Sequence, residues 1–154
     1  MAGTIDKRLA EKGIELPQAA VPVANYVPVA IAGNLAFVSG QVTVWNGEFR
    51  FKGKLGKDFS VEEGQQAARL CGLNIVAQLK NALGDLDRVK RVVKLGVFVN
   101  STADFTDQPK VANGVSDLVV EVFGDAGKHA RFAVGTNVLP LDVAVEVDAV
   151  VEIA

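Results

Sequence analysis

The chain has 154 residues, a formal net charge of -2 and a pI near 5.4, a balance that gives no pull toward nucleic acid or an anionic membrane surface. Hydrophobic residues make up 49% and charged residues 22%, which places it among soluble chains able to bury the core of a single domain. No apolar run approaches membrane-spanning length, Met1 to Arg8 lacks the apolar stretch of a secretory signal, and the single cysteine, Cys71, excludes an internal disulfide and a cysteine-built zinc site; together these point to the cytoplasm.

Taken in order, Thr4 to Gly13 predicts a short helix. Thr4 is its candidate cap, Ile5 and Leu9 lie four apart, and Gly13 is its stop. Pro17 and Pro22 make residues 16–23 an irregular connector. Two strands follow, Val27 to Ile31 and Leu35 to Ser39, joined at Gly33-Asn34. Glycine directly after a buried strand, as in Ser39-Gly40-Gln41, often lets a ligand approach the backbone. Asn46-Gly47 predicts a second hairpin between Val42 to Trp45 and Glu48 to Phe51, followed by a lysine-bearing solvated loop.

Ser60-Val-Glu-Glu63 is a capping box that opens a long helix ending at Gly84, with Cys71 on its apolar stripe as a buried, inert thiol. Val89 to Asn100 predicts a strand. A second helix starts near Thr106 or Asp107, carries Pro109 in its first turn, and stops at Gly124. His129, the only histidine, falls in the next loop, two residues before Arg131.

From Arg131 onward two β-rich runs flank Leu139-Pro140-Leu141-Asp142, which predicts a terminal hairpin. In the second run Val143, Val145, Val147, Ala149, Val151 and Ile153 alternate with Glu146, Asp148 and Glu152, so one face is core. Pairing Val138 with Val143 sets Arg131, Ala133 and Gly135 on one face with Glu146, Arg131 and Glu146 being roughly 13 Å apart along the sheet. An arginine beside small residues suits a carboxylate, which guanidinium grips through two bonds. The competing expectation pairs Arg131 with Asp148 or Glu152 in a buried ion pair.

The order β-β-β-β-α-β-α-β-β, with a short helix in front, predicts a two-layer α+β domain in which both long helices cover one face of a mixed sheet. The other face then needs a second subunit to cover it. The whole of residues 1–154 forms the single domain, with residues 1–24 as an N-terminal extension.

Arg131 with Val134, then Leu139-Pro140, then Glu146, supported by Ser39-Gly40-Gln41, Phe98-Val99 and Asp104-Phe105, resembles the Rid (YjgF) family. The resemblance covers residues from about Tyr26 to Ile153. It implies a chorismate-mutase-like fold, a homotrimer with pockets in the clefts between subunits, and hydrolysis of 2-imino acids. It also implies that Arg131 binds the substrate carboxylate and Glu146 helps hold the attacking water. Tyr26, Ser39, and the backbone at Gly40 and Ala133 then line the pocket. Imine hydrolysis asks only for a fixed carboxylate, a placed water and a leaving ammonia, so no metal or organic cofactor is needed. Ala103 stands where the family often has Asn, and Ala133 where it often has Cys or Ser. Two other readings remain: a non-catalytic trimer that binds a small carboxylate or acts as a chaperone, and an endoribonuclease, which the acidic pI and lone histidine disfavour.

Overall fold

The computed structural model describes residues 3–154. Helix α1 (Thr4–Glu11) buries Ile5 and Leu9. Its start is capped from outside the helix and not by Thr4: the Asp87 carboxylate accepts from the backbone N–H groups of Thr4 (2.8 Å) and Ile5 (2.9 Å). Those two bonds, first Ile5 and then Thr4, hold the Asp87 carboxyl below the usual aspartate range. A depressed pKa stabilises the fold above the ordinary aspartate value, and that contribution is lost as pH falls through the folded value. Protection of the α1 amides, taken relative to intrinsic exchange at each pH, is therefore expected to fall on acidification through and below about pH 4, before the core helices lose protection. Asp87→Ala should abolish that step and leave α1 weakly protected at every pH.

Strands β1 (Val29–Ala32) and β2 (Leu35–Gln41) form the expected hairpin across Gly33-Asn34, with Ala32 opposite Leu35. The next hairpin is shorter than the sequence suggests: β3 (Val44–Trp45) and β4 (Glu48–Phe49) pair only with each other. The loop after β4 is not simply solvated, because Lys54 Nζ donates to Asn100 Oδ1 at 2.7 Å and to the Asn137 carbonyl.

Helix α2 (Val61–Leu83) has the full capping box: Ser60 Oγ accepts from the Glu63 N–H, and the Glu63 carboxylate accepts from the Ser60 N–H. Cys71 is fully buried within it, and burial pushes its thiol well above the usual range, as expected of an inert residue. Helix α3 (Gln108–Phe123) follows β5 (Val89–Asn100). A Cβ on Gly114 of α3 would overlap the Gln65 carbonyl of α2, so glycine is what lets the two helices approach this closely. Together they bury one face of the sheet, where Leu95, Val97, Val99, Val145, Val147 and Val151 are fully covered.

Strands β6 (Ala130–Thr136) and β7 (Val145–Ile153) depart from the expected hairpin. The sheet order is β1-β2-β7-β5-β6. Strand β6 pairs in parallel with β5 through the crossover α3, and β7 inserts between β2 and β5. The reason lies in the connection. Gly33-Asn34 and Asn46-Gly47 carry tight-turn chemistry, whereas Leu139-Pro140-Leu141-Asp142 has neither Gly nor Asn. It forms a short 3₁₀ turn in which Leu141 and Asp142 both take φ of 58°, and it carries the chain across the end of β5. Fully buried Asn100 at that end fixes the crossing, its amide donating to Gly53 O (3.1 Å), Asp142 Oδ1 (2.9 Å) and Val143 O (3.1 Å).

The face away from the helices is uncovered. Phe37, Phe98, Phe132 and Val134 lie on it, with Phe37 45% and Val134 43% exposed. No helix among the described residues is long and apolar enough to cross a membrane.

Candidate functional site

The sheet register sorts the predicted site residues into two groups. Glu146 pairs with Phe98 on β5, and Phe98 pairs with Val134 on β6. Its side chain projects on the open face, because its neighbours Val145 and Val147 are buried under the helices. Arg131 pairs with Leu95 and projects on the helix-bearing face. The expected sharing of one face by Arg131, Ala133 and Glu146 is therefore overturned. Within one chain, Arg131 and Glu146 lie two strands and three residues apart, roughly 14 Å at normal strand spacings, on opposite faces.

The first group gathers around Glu146. Strand β2 is irregular between Val38 and Gln41 where it pairs with β7. In that irregularity Gly40 lies against the Glu146 side chain so closely that a Cβ there would overlap Glu146 Oε2. A side chain at Gly40 of Ser39-Gly40-Gln41 would therefore push the Glu146 carboxylate out of its present position. Glu146 borders two cavities. One, about 490 Å³, is lined by Tyr26, Ser39, Gly40, Gln41, Gln78 and Leu141 among others. The other, about 270 Å³, is lined by Gly40, Phe98, Leu139 and Asp148. Burial, and secondarily the Asp148 carboxylate, raise the Glu146 pKa above the usual glutamate range. A half-buried carboxylate with a raised pKa beside a cavity has the properties of a general base for water.

The second group gathers around Arg131 on the edge strand β6. Its Nη1 donates to Asn113 Oδ1 (2.9 Å) and Ser116 Oγ (3.0 Å), and its Nη2 donates to the Pro109 carbonyl (3.2 Å). All three acceptors belong to α3 and all are neutral. The alternative of an ion pair with Asp148 or Glu152 is not formed. Ala133 shares this face and packs partly against the core. As β6 has only one neighbour in the sheet, the outward backbone groups along it remain available. Neither cavity beside Glu146 is lined by Arg131 or Ala133. Farther along β6, Gly135 lines a cavity of about 310 Å³ together with Ser101, Ala103 and Gln108.

Sequence reasoning missed Asn113 and Ser116, whose spacing along α3 gives no sign of a partner thirteen or more residues ahead. His129 sits in the loop expected of it, but its ring is bonded on both sides: Nδ1 to Gly127 O at 2.6 Å and Nε2 to Ser116 Oγ at 2.9 Å. No group of three or more His, Cys, Asp or Glu residues among the described residues is arranged to hold a metal ion.

A model of the YjgF/chorismate mutase-like, putative endoribonuclease family matches residues 6–153. The chain belongs to the YjgF/Rid family. The Trypanosoma cruzi protein TCP17 is 52% identical over 153 residues, covering 99% of this chain and 96% of that protein. A crystal structure of a protein of unknown function from Agrobacterium tumefaciens is 48% identical, covers 97% of this chain and 92% of its own, and superposes with a TM-score of 0.91. At greater distance, E. coli TdcF with bound serine is 25% identical, covers 91% and 97% of the two chains, and has a TM-score of 0.63. YjgF/Rid membership agrees with the mixed sheet and the helices on one face.

Proposed function

We propose that this protein hydrolyses 2-imino acids to 2-oxo acids and ammonia, as a homotrimer whose sites are each shared by two copies. The observation that carries this reading is the separation of Arg131 from Glu146. Two faces of one sheet cannot meet in one chain, but the β6 edge of one copy can meet the uncovered face of the next. Such a head-to-tail contact repeats until it closes in a ring. It would also cover Phe37, Phe98 and Val134, which a lone chain leaves exposed.

In the assembled site Arg131 of one copy holds the substrate carboxylate through a two-bond fork. Tyr26, Ser39, Gly40 and Glu146 of the other surround the imine, while the β6 backbone at Ala133 closes the pocket. The protonated imine carbon is already electrophilic. Water attacks it, and Glu146 takes the proton that the water loses. The tetrahedral carbinolamine forms, its nitrogen receives that proton, and the carbon–nitrogen bond breaks as the hydroxyl proton passes to Glu146. Glu146 hands that proton to the departing ammonia, so a 2-oxo acid and ammonium leave and Glu146 is again ionised. No redox change occurs.

A bound serine in TdcF favours a second reading, a carboxylate binder without turnover. An endoribonuclease is favoured less, because the net charge is negative and one histidine is present. The deciding experiment is ammonia release from freshly generated 2-iminopropanoate or 2-iminobutanoate. Wild type should be active. Arg131→Ala, confirmed as an intact oligomer, should lose about a hundredfold or more in kcat/KM, as expected for a lost charged anchor. Wild type that binds 2-oxobutanoate but releases no ammonia would leave the binder.

A further inference from the structure

With the His129 ring neutral, the hydrogen bonds around Arg131 run in one direction. Gly127 O can only accept, so the His129 Nδ1 beside it at 2.6 Å carries the proton. In the neutral ring Nε2 is then an acceptor. The Ser116 hydroxyl, 2.9 Å away, donates to it. That leaves the Ser116 lone pairs for the Arg131 Nη1 donor at 3.0 Å. Donation thus runs in one sense, from Arg131 through Ser116 and His129 to Gly127, and bonds chained in one sense strengthen one another.

Two consequences concern the anchor. Its three direct partners, Asn113, Ser116 and the Pro109 carbonyl, carry no charge, so the guanidinium is held without being neutralised. A guanidinium has five N–H groups, and Asn113, Ser116 and Pro109 engage three. Two remain, as many as a carboxylate fork needs. A flexible arginine would lose rotamer freedom on meeting its ligand, whereas one already fastened has lost it beforehand.

We propose that Ser116 and His129 are positioning residues for Arg131, fixing its guanidinium on α3 so that its two remaining donors meet a ligand carboxylate. This rests on the carboxylate-anchor reading of Arg131 given above. Ser116 acts directly, and His129 acts by holding the Ser116 hydroxyl proton away from the guanidinium.

The test is titration calorimetry of the intact oligomer with 2-oxobutanoate, the product of 2-iminobutanoate hydrolysis, which reads the anchor without requiring turnover. Ser116→Ala should raise Kd about fivefold, as the loss of one hydrogen bond does. His129→Leu should raise it less, about twofold to threefold. Ser116→Thr restores the hydroxyl and should restore the affinity. Melting temperature and oligomer size, measured alongside, separate this from general damage: the proposal requires affinity to move while both stay with wild type. Should Ser116→Ala fail to fold, His129→Leu and Ser116→Thr carry the test. Unchanged affinity in Ser116→Ala, or affinity lost equally in Ser116→Thr, overturns the proposal. If Arg131→Ala itself binds 2-oxobutanoate like wild type, the anchor reading falls instead. If Arg131→Ala loses binding and Ser116→Ala keeps it, only the positioning role falls.

Discussion

Glu146→Gln is expected to lower ammonia release from 2-iminobutanoate by about a hundredfold or more, while leaving 2-oxobutanoate binding intact. Gln keeps the shape that fits over Gly40 but cannot take a proton from water. Wild-type activity should fall as pH drops through the Glu146 pKa, and burial places that limb above the ordinary glutamate range. Asp148→Asn removes the secondary cause of the shift and should move the limb to lower pH. Stability should change in the opposite sense. A carboxyl whose folded pKa is raised stabilises the fold only while protonated, and that contribution is lost as pH rises through the folded value. Glu146→Gln should therefore melt above wild type at neutral pH, with the gap closing below the ordinary glutamate range. Equal turnover by Glu146→Gln and wild type would remove Glu146 from the chemistry.

The limits of the sequence reading follow from which signals are local. The Ser60 box, the Asn46-Gly47 turn, the bounds of β5 and the stops at Gly84 and Gly124 rest on neighbours within a few residues, and all are found in the structure. Alternation along residues 143–153 correctly assigned the buried face of β7. It carried nothing about which strands lie beside β7, because an alternating strand reads the same between any two neighbours. The hairpin assumption supplied the missing neighbour, and its failure moved Arg131 to the other face from Glu146. Gly40 was marked as a place of close approach, but the group approaching is the Glu146 carboxylate, which only the β2–β7 pairing reveals. Asp87 capping α1 is likewise invisible in sequence, its partners lying more than eighty residues away. That Ser39-Gly40-Gln41 and Glu146 border one cavity, while Arg131 lies on the opposite face, was not legible in the sequence.

Asn100→Leu should cost about 4 kcal/mol of stability, since buried groups left without partners cost ~1–3 kcal/mol each. The strand would lose little in shape. It would lose the amide that donates to Gly53 O, Asp142 Oδ1 and Val143 O, and the oxygen that accepts from Lys54 Nζ. Denaturant unfolding should show a lower midpoint with an unchanged slope. Asn100→Asp separates the donor from the acceptor. It keeps an oxygen for Lys54 but sets a carboxylate against two carbonyls and the Asp142 carboxylate. At neutral pH it should be no more stable than the Leu variant, and it should recover as acid protonates the new carboxyl and restores a donor. If Asn100→Asp retained wild-type stability at neutral pH, the amide donor would not be what fixes the crossing. The effect should reach the site as well. The same crossing carries Leu139 and Leu141, which border the two Glu146 cavities. An Asn100 variant still folded at working temperature is therefore expected to lose activity before it loses secondary structure.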